Sequence, residues 1–93
     1  MRWTGSWFPR AEVDLARFWL EASPPGREEI TRIVNWMESQ LKTRPHDIGN
    51  QRSDGCREII LLPIGMVFEV IDAHRLARVL AIHVVPEAGF PNN

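Results

Sequence analysis

Histidine and cysteine are the residues of this sequence that could bind a metal or attack a substrate, and their spacing limits that chemistry. His46, His74 and His83 are far apart, and no two of them stand two or four residues apart, the spacing that places two ligands side by side on a strand or a helix. Cys56 is the only cysteine. The sequence therefore predicts no metal site, no organic cofactor and no disulfide within the chain.

His83 and Cys56 each have a structural interpretation beside the catalytic one. His83 alternates with Val79, Ala81 and Val85 in an apolar strand pattern, so it shares a face with them. We expect a hydrogen-bonded core histidine if that face is buried, and a groove-lining one if it is open. A nucleophilic cysteine needs a base folded close to it. Cys56 opens a predicted strand, and we interpret it as a small half-buried residue.

Paired carboxylates are the other possible source of catalysis. Glu58 and Glu69 lie on neighbouring predicted strands, where two carboxyl groups could carry out acid–base chemistry. Three arginines, Arg57, Arg75 and Arg78, lie on or next to the same strands. Because exposed acidic and basic side chains on a sheet usually form cross-strand pairs, we expect these groups to pair with one another.

Tryptophan is abundant for so short a chain. Residues 1–9 are predicted to form an edge strand or an extended arm, and they contain Trp3 and Trp7. Trp19 falls on the apolar stripe of a predicted helix and is assigned to the core, whereas Trp36 stands at the edge of a second stripe. Surplus aromatic side chains often mark a contact surface, so Trp3, Trp7 and Trp36 are predicted to bind a partner.

The elements that position these residues follow from hydrophobic periodicity. Helices are predicted over 10–22 and 27–43, where apolar residues recur at three- and four-residue spacing, with a break at 23–26. Three strands with short links follow between 56 and 85. The predicted fold is α+β: a two-helix hairpin packed on an antiparallel sheet of three or four strands. The predicted core is Leu15, Trp19, Ile30, Ile33, Val34, Met37, Leu41, Phe68, Val70, Leu80 and Ile82.

Length and charge exclude several classes of protein. With 93 residues the chain is expected to be a single domain over 1–93, with a frayed tail at 87–93. Eleven basic and twelve acidic side chains give a net charge of −1, which argues against strong direct binding to nucleic acid. No apolar run approaches the roughly 18 residues of a membrane span, and the N-terminus lacks the apolar stretch of a signal peptide. We therefore expect a cytoplasmic protein.

The order of motifs resembles a known family. Arg57 and Glu58 open a strand, PIGMVFEVID follows at 63–72, and RVLAIHVV follows a polar turn at 78–85. Together with the helical hairpin, this pattern over residues 10–86 resembles the RelE/ParE family of bacterial toxins from type II toxin–antitoxin modules, which include plasmid-stabilisation systems. The resemblance implies a toxin that is neutralised by a cognate antitoxin, whose C-terminal segment wraps the helices and the sheet.

The two branches of that family imply different activities. Members similar to RelE cleave mRNA on the ribosome. They use a cluster of Lys and Arg on the sheet, together with an Arg and a Tyr near the C-terminus. Members similar to ParE poison DNA gyrase without a nuclease site. This sequence has no Tyr, and Glu58 and Ile60 stand where basic residues are expected. The resemblance therefore favours a ParE-like toxin that acts through protein binding and is not an enzyme.

Two alternatives stay open. The chain could be a ribosome-dependent mRNA endoribonuclease with a displaced catalytic set, for which Arg57, Arg78 and His83 are the candidates. It could also be a degenerate, non-toxic binding domain of the same fold.

Overall fold

Two helices pack on one side of a five-stranded sheet. The computed structural model describes residues 2–85, so the tail predicted at 87–93 lies outside the described residues. The elements are β1 (Thr4–Trp7), α1 (Pro9–Glu21), α2 (Pro24–Thr43), β2 (Asn50–Gln51), β3 (Arg57–Leu61), β4 (Ile64–Ile71) and β5 (Leu76–Val84). A 3-10 turn, Asp72–His74, joins β4 to β5. The α+β prediction is confirmed.

The junction between the helices is shorter than predicted. α1 begins at Pro9, where a proline removes no intrahelical hydrogen bond. Ser23 caps α2 by accepting a hydrogen bond from the N–H of Gly26 at 3.2 Å. The two prolines after Ser23 therefore lie in the first turn of α2, and only two residues separate the helices. Of the expected break at 23–26, residues 24–26 are therefore helical and form the start of α2.

The sheet contains the predicted antiparallel meander together with two further strands. Its order is β1-β5-β4-β3-β2, and β3, β4 and β5 pair antiparallel in sequence order. β1 pairs parallel with β5, from Thr4 opposite Leu76 to Trp7 opposite Val79, so the sheet is mixed. The short strand β2 pairs with β3 at the other edge. Three or four strands were expected, and residues 2–85 form five.

The core lies between the helices and the sheet. Trp19 was assigned to it wrongly, because its side chain is 40% exposed and lies beside the guanidinium of Arg27, 4.6 Å from the ring centre. Leu15, Val70 and Leu80 are only half-buried. The prediction is confirmed for Ile30, Ile33, Val34, Met37, Leu41, Phe68 and Ile82, all of which are buried.

A β-bulge interrupts the pairing of the two central strands. Val67 pairs with Ala81, but the next residue of β4, Phe68, pairs with Val79, so Leu80 is an extra residue in β5. An extra residue shifts the side-chain alternation of its strand by one position. β5 therefore presents Val79 to the helices before the bulge and Ile82 after it, and both are buried.

Across residues 2–85, no helix combines the length and the hydrophobicity that a membrane crossing needs.

Candidate functional site

The face of the sheet that points away from the helices collects most of the residues that could do chemistry. We call it the open face. By strand register, it includes Glu58, Ile60, Gly65, Val67, Glu69, Arg78, Ala81 and His83, and the alternation of β3 extends it to Cys56, directly before the strand. The opposite face of the same strands carries the buried core residues Ile59, Met66, Phe68 and Val79.

His83 lies on the open face, and the bulge is the reason. Strict alternation would place His83 with Val79, but the extra residue at Leu80 moves the two to opposite faces. The core interpretation of His83 is therefore wrong, and the open-face alternative is right. The side chain is 43% exposed, and its Nε2 lies 3.3 Å from Oε2 of Glu58, forming an ion pair when the imidazole is protonated.

Gly65 lies directly beside the imidazole of His83 on the open face. It sits between Ile60 and His83 in the register of the sheet, and a Cβ at this position would lie 2.5 Å from Nε2 of His83. Only glycine leaves room for the imidazole to lie there. The Glu58–His83 pair was missed by sequence reasoning. A glycine inside a strand often marks a close approach of other atoms, and Gly65 was the signal that could have found it.

The arginines near the open face are paired with its carboxylates. Arg78 donates from Nε to Oε2 of Glu69 at 2.8 Å, and its Nη2 lies 2.6 Å from the same oxygen. Its guanidinium also lies 5.0 Å from the ring centre of Phe8. Nη1 of Arg52, just beyond β2, is 3.4 Å from Oε1 of Glu58. The expected cross-strand pairing is confirmed for Arg78 and Glu69.

Arg57 is separated from the other two predicted catalytic candidates. It lies on the helix side of β3, where its Nε donates to the carbonyl of Ile48 and its Nη2 to the carbonyl of Gly49, both at 3.1 Å. Arg57 therefore braces the loop before β2. Of the three candidates, only Arg78 and His83 share the open face.

Cys56 is half-buried, as expected, and its surroundings suppress the thiolate. Burial raises the pKa of the Cys56 thiol, and the negative charges of Asp54 and Glu69 raise it further. Asp54 accepts a hydrogen bond from the N–H of Cys56 at 3.0 Å, and this bond is the main reason that the pKa of its carboxyl is lowered. A protonated thiol is a poor nucleophile, so the site does not favour cysteine catalysis.

The three histidines lie in different parts of the fold. His46 is 2.6 Å from Oδ1 of Asp72, His74 ends the 3-10 turn, and His83 lies on the open face. Within residues 2–85, no three His, Cys, Asp or Glu side chains come close enough together to hold a metal ion.

The predicted partner-binding tryptophans do not form one patch. Nε1 of Trp7 donates to Oε2 of Glu38 at 2.7 Å, which ties β1 to α2. Trp3 packs edge-on against His46, with ring centres 5.4 Å apart. Trp36 lies on α2 and is 43% exposed. Of the three, Trp7 lines the cavity between the helices.

That cavity is a groove of about 620 Å³ between α1 and α2, which we call the interhelical groove. Leu20 and Trp19, both on α1, are 65% and 40% exposed within it. Its large apolar lining residues are Trp7, Leu15, Trp19, Leu20, Ile30 and Val34. Sequence reasoning assigned none of these positions to a groove, because the amphipathic pattern of a helix does not reveal how closely its neighbour approaches.

Comparison with known proteins identifies solved structures with a similar fold. No protein-family model and no curated protein sequence matches the chain. Solved structures do match. A chain in the structure of a RelBE toxin–antitoxin complex from Mycobacterium tuberculosis is similar, with a TM-score of 0.74 and 17% identity. The match covers 94% of this chain and 95% of the matched chain. A chromosomal ParDE toxin–antitoxin system from P. aeruginosa has a TM-score of 0.73 at 18% identity, over 90% and 97%. The intact E. coli RelBE complex gives 0.63 at 18% identity, over 91% and 99%.

Proposed function

We propose that this chain, which has the fold of the RelE and ParE toxins, is the toxin of a type II toxin–antitoxin pair. On this proposal it acts by binding a protein target, as a ParE-like toxin does, and a cognate antitoxin neutralises it. The similar structures support the toxin assignment, because they are toxins from toxin–antitoxin systems and match this chain over nearly its full length.

The observation that carries the binding mode is the pairing of charges on the open face. A surface that cleaves RNA needs positive groups to hold the phosphate and to stabilise the transition state. Here Arg78 is held by Glu69, and Arg52 is shared between Glu58 and Asp54. These pairs neutralise the arginines where a phosphate would have to bind, and the net charge of −1 adds no attraction from the rest of the chain.

The interhelical groove supports an antitoxin partner. Apolar side chains that are exposed together, as Trp19 and Leu20 are, mark surfaces that another protein covers. A neutralising segment that lies in this groove would bury them.

The test is induced expression in bacterial cells, followed by two assays with the purified protein. We expect growth arrest that is relieved by co-expressing the protein of an adjacent reading frame, inhibition of DNA supercoiling by gyrase, and no effect on translation. Growth arrest without inhibition of either gyrase or translation would show that the target is not gyrase, and it would contradict the ParE-like mode. Absence of growth arrest would favour the degenerate, non-toxic domain.

One observation favours a second candidate, a ribosome-dependent mRNA endoribonuclease. The 3.3 Å approach of His83 to Glu58 places a base and an acid side by side. Glu58 would take the proton of a 2′-OH as that oxygen attacks phosphorus, and a protonated His83 would donate to the departing 5′ oxygen. Arg78 would hold the phosphate. In this set, Glu58 replaces Arg57, which lies on the other face.

Translating ribosomes distinguish the two candidates. The binding proposal predicts that purified protein leaves the mRNA intact. Cleavage that is lost in both His83→Gln and Glu58→Gln, but is kept in the matched control His74→Gln, would establish the nuclease and overturn the binding mode.

A further inference from the structure

We infer that one corner of the fold binds the phosphate backbone of duplex nucleic acid. This corner, which we call the basic corner, consists of residues 2–3, 42–47 and 72–75, and its cations are Arg2, Lys42, Arg44 and Arg75. It lies where β1 and β5 begin, whereas His83 stands near the far end of β5. The inference goes beyond the proposed function and does not depend on it.

Backbone hydrogen bonds bring the three segments of the basic corner together. The N–H of Trp3 donates to the carbonyl of Lys42, near the end of α2, at 2.9 Å. The N–H of Thr4 donates to the carbonyl of Arg75 at the same distance. The Trp3 ring lies between the other two segments, since its centre is 5.4 Å from the ring centre of His46 and 5.8 Å from the guanidinium carbon of Arg75. Basic residues that are far apart in sequence are therefore collected in one place.

The cations of the basic corner are the ones that the chain leaves without partners. Of the eleven Lys and Arg side chains, seven form an ion pair or donate to a backbone carbonyl: Arg10, Arg17, Arg27, Arg32, Arg52, Arg57 and Arg78. Within residues 2–85, the other four do neither, and these four are the exposed cations of the basic corner. Because like charges that stand together repel one another, a polyanion lying across them is attracted more strongly than by cations that are already paired.

The acidic residues of the basic corner do not cancel its charge. They are Asp47 and Asp72, so the four cations exceed the acids by two. Oδ1 of Asp72 lies 2.6 Å from Nε2 of His46, which directs this carboxylate to the imidazole. Because the whole chain has a net charge of −1, the residues outside the corner carry an excess of three negative charges. The molecule is therefore polarised, and its field turns the basic corner towards a polyanion.

The chemistry of the basic corner favours nucleic acid over a protein or a membrane. The centre of a protein–protein interface is rich in apolar side chains, and a membrane-binding surface buries large apolar groups. Among residues 2–85, every exposed large apolar side chain lies outside the corner: Phe8, Val13, Trp19, Leu20, Trp36, Ile60, Leu61, Leu62 and Val84. Protein–DNA interfaces are more polar and more positively charged than protein–protein interfaces, which matches this surface.

The single aromatic side chain of the corner favours a duplex over a single strand. Proteins that bind single strands stack the bases on free aromatic rings. Trp3 is half-buried, with the guanidinium of Arg75 over its ring and His46 packed against it, so it offers no free ring. A DNA duplex presents about one negative charge per 1.7 Å of its axis, and its phosphates face outward. The expected contacts are to phosphates, which position a protein without reading sequence.

Folding explains Lys42 but not Arg75. Lys42 lies in the last turn of α2, where a positive charge stabilises the helix. Arg75 has the left-handed backbone conformation, with φ of 49° and ψ of 50°, which glycine and asparagine adopt more readily. An asparagine would therefore suit the backbone at this position better than arginine does. The cation at position 75 is best explained by a ligand that it binds.

The experiment titrates the full chain into labelled duplexes of DNA and of RNA, with fluorescence anisotropy as the readout, from about 50 mM salt upwards. With four phosphate contacts, log K should fall with log salt at a slope of about −3 to −4. Arg75→Asn and Arg44→Gln should each weaken binding several-fold and reduce the slope by about one. Urea unfolding should show that Arg75→Asn is at least as stable as the wild type.

The matched control is Arg10→Gln. It also removes one positive charge, from a side chain that is 84% exposed and paired with Asp14 at the start of α1, and it should bind as the wild type does. Location is checked by NMR: the indole N–H signal of Trp3 should shift when duplex is added, and that of Trp36 should not.

The two duplexes identify the source of the phosphate, and binding of either one supports the inference. No binding at low salt, an affinity that does not depend on salt, tighter binding of a single strand, or an equal loss in Arg10→Gln would overturn it. Polyglutamate and vesicles of anionic lipid are the competing ligands. If either binds as tightly as the duplexes do, the basic corner is a surface for an acidic protein or a membrane, and the inference is wrong.

Discussion

The open face and the interhelical groove lie on opposite sides of the same sheet and differ in the chemistry that they expose to solvent. The open face is charged, and its arginine and histidine side chains are paired with carboxylates of the face itself. The groove is apolar, and Trp19 and Leu20 stay exposed in it. A surface that satisfies its own charges gains little from a partner, whereas exposed apolar area is stabilised when it is covered. The contrast supports our proposal that a protein partner binds on the side of the helices.

The largest expected effect comes from the residue that supports both regions. Phe68 is fully buried between the sheet and the helices, and Phe68→Ala should lower the free energy of unfolding by about 3–5 kcal/mol, from lost burial and a residual cavity. Urea unfolding measures the loss. The control, Phe8→Ala, removes the same side chain where it is 39% exposed and should cost about 1 kcal/mol or less. Equal losses for the two variants would remove Phe68 from the core.

A glycine substitution should disturb one region and spare the other. In Gly65→Ala the new methyl group would lie 2.5 Å from Nε2 of His83, so the half-exposed imidazole must move, and stability should fall by about 1 kcal/mol or less. Histidine NMR signals and unfolding report both effects. Gly5→Ala is the control, because its Cβ would meet Lys42 at an ordinary 3.7 Å. Neutralisation by the antitoxin, which we propose to bind in the interhelical groove, should be unchanged in both variants, and a loss in Gly65→Ala would contradict the independence of the two regions.

The ion pair of the open face should contribute little to stability. Arg78 and Glu69 are each about one-third exposed, so solvent screens their attraction. A double-mutant cycle with Arg78→Met and Glu69→Gln should give a coupling of about 0–1 kcal/mol, smaller at high salt. A coupling well above this range, independent of salt, would mean that the pair is structural and not merely a neutralising contact.

The smallest expected effect is on the rate at which the Cys56 thiol is alkylated. Because burial raises the pKa of Cys56, with Asp54 and Glu69 adding to the shift, less thiolate is present at pH 8 in the folded chain than in an ordinary cysteine. Iodoacetamide should therefore alkylate the folded protein more slowly than the urea-unfolded one, as followed by mass spectrometry, and the folded rate should still be rising at higher pH. Asp54→Asn removes a negative charge, lowers the pKa of the thiol and should speed the reaction. Equal rates in the folded and unfolded chain would contradict the effect of burial.

Local periodicity was enough to predict the helices and the meander. The stripe that contains Ile33, Met37 and Leu41 is a property of residues three and four apart, and all three are buried as predicted. Alternation and short links likewise predicted that β3, β4 and β5 pair in order. The parallel pairing of β1 with β5 joins Thr4 to Leu76, and no local pattern encodes a contact between residues so distant in sequence.

The candidate site depended on tertiary structure to a greater degree. The types of the charged residues on β3 to β5 are evident in the sequence, and so is the expectation that they pair. Which of them meet was decided by one bulge at Leu80, since a one-residue shift moves every later side chain of a strand to the other face. That shift brought His83 to Glu58, while Arg57, the neighbour of Glu58 in sequence, points to the helix side. The sequence by itself determined the chemistry available, and the packing of the strands determined which groups could act together.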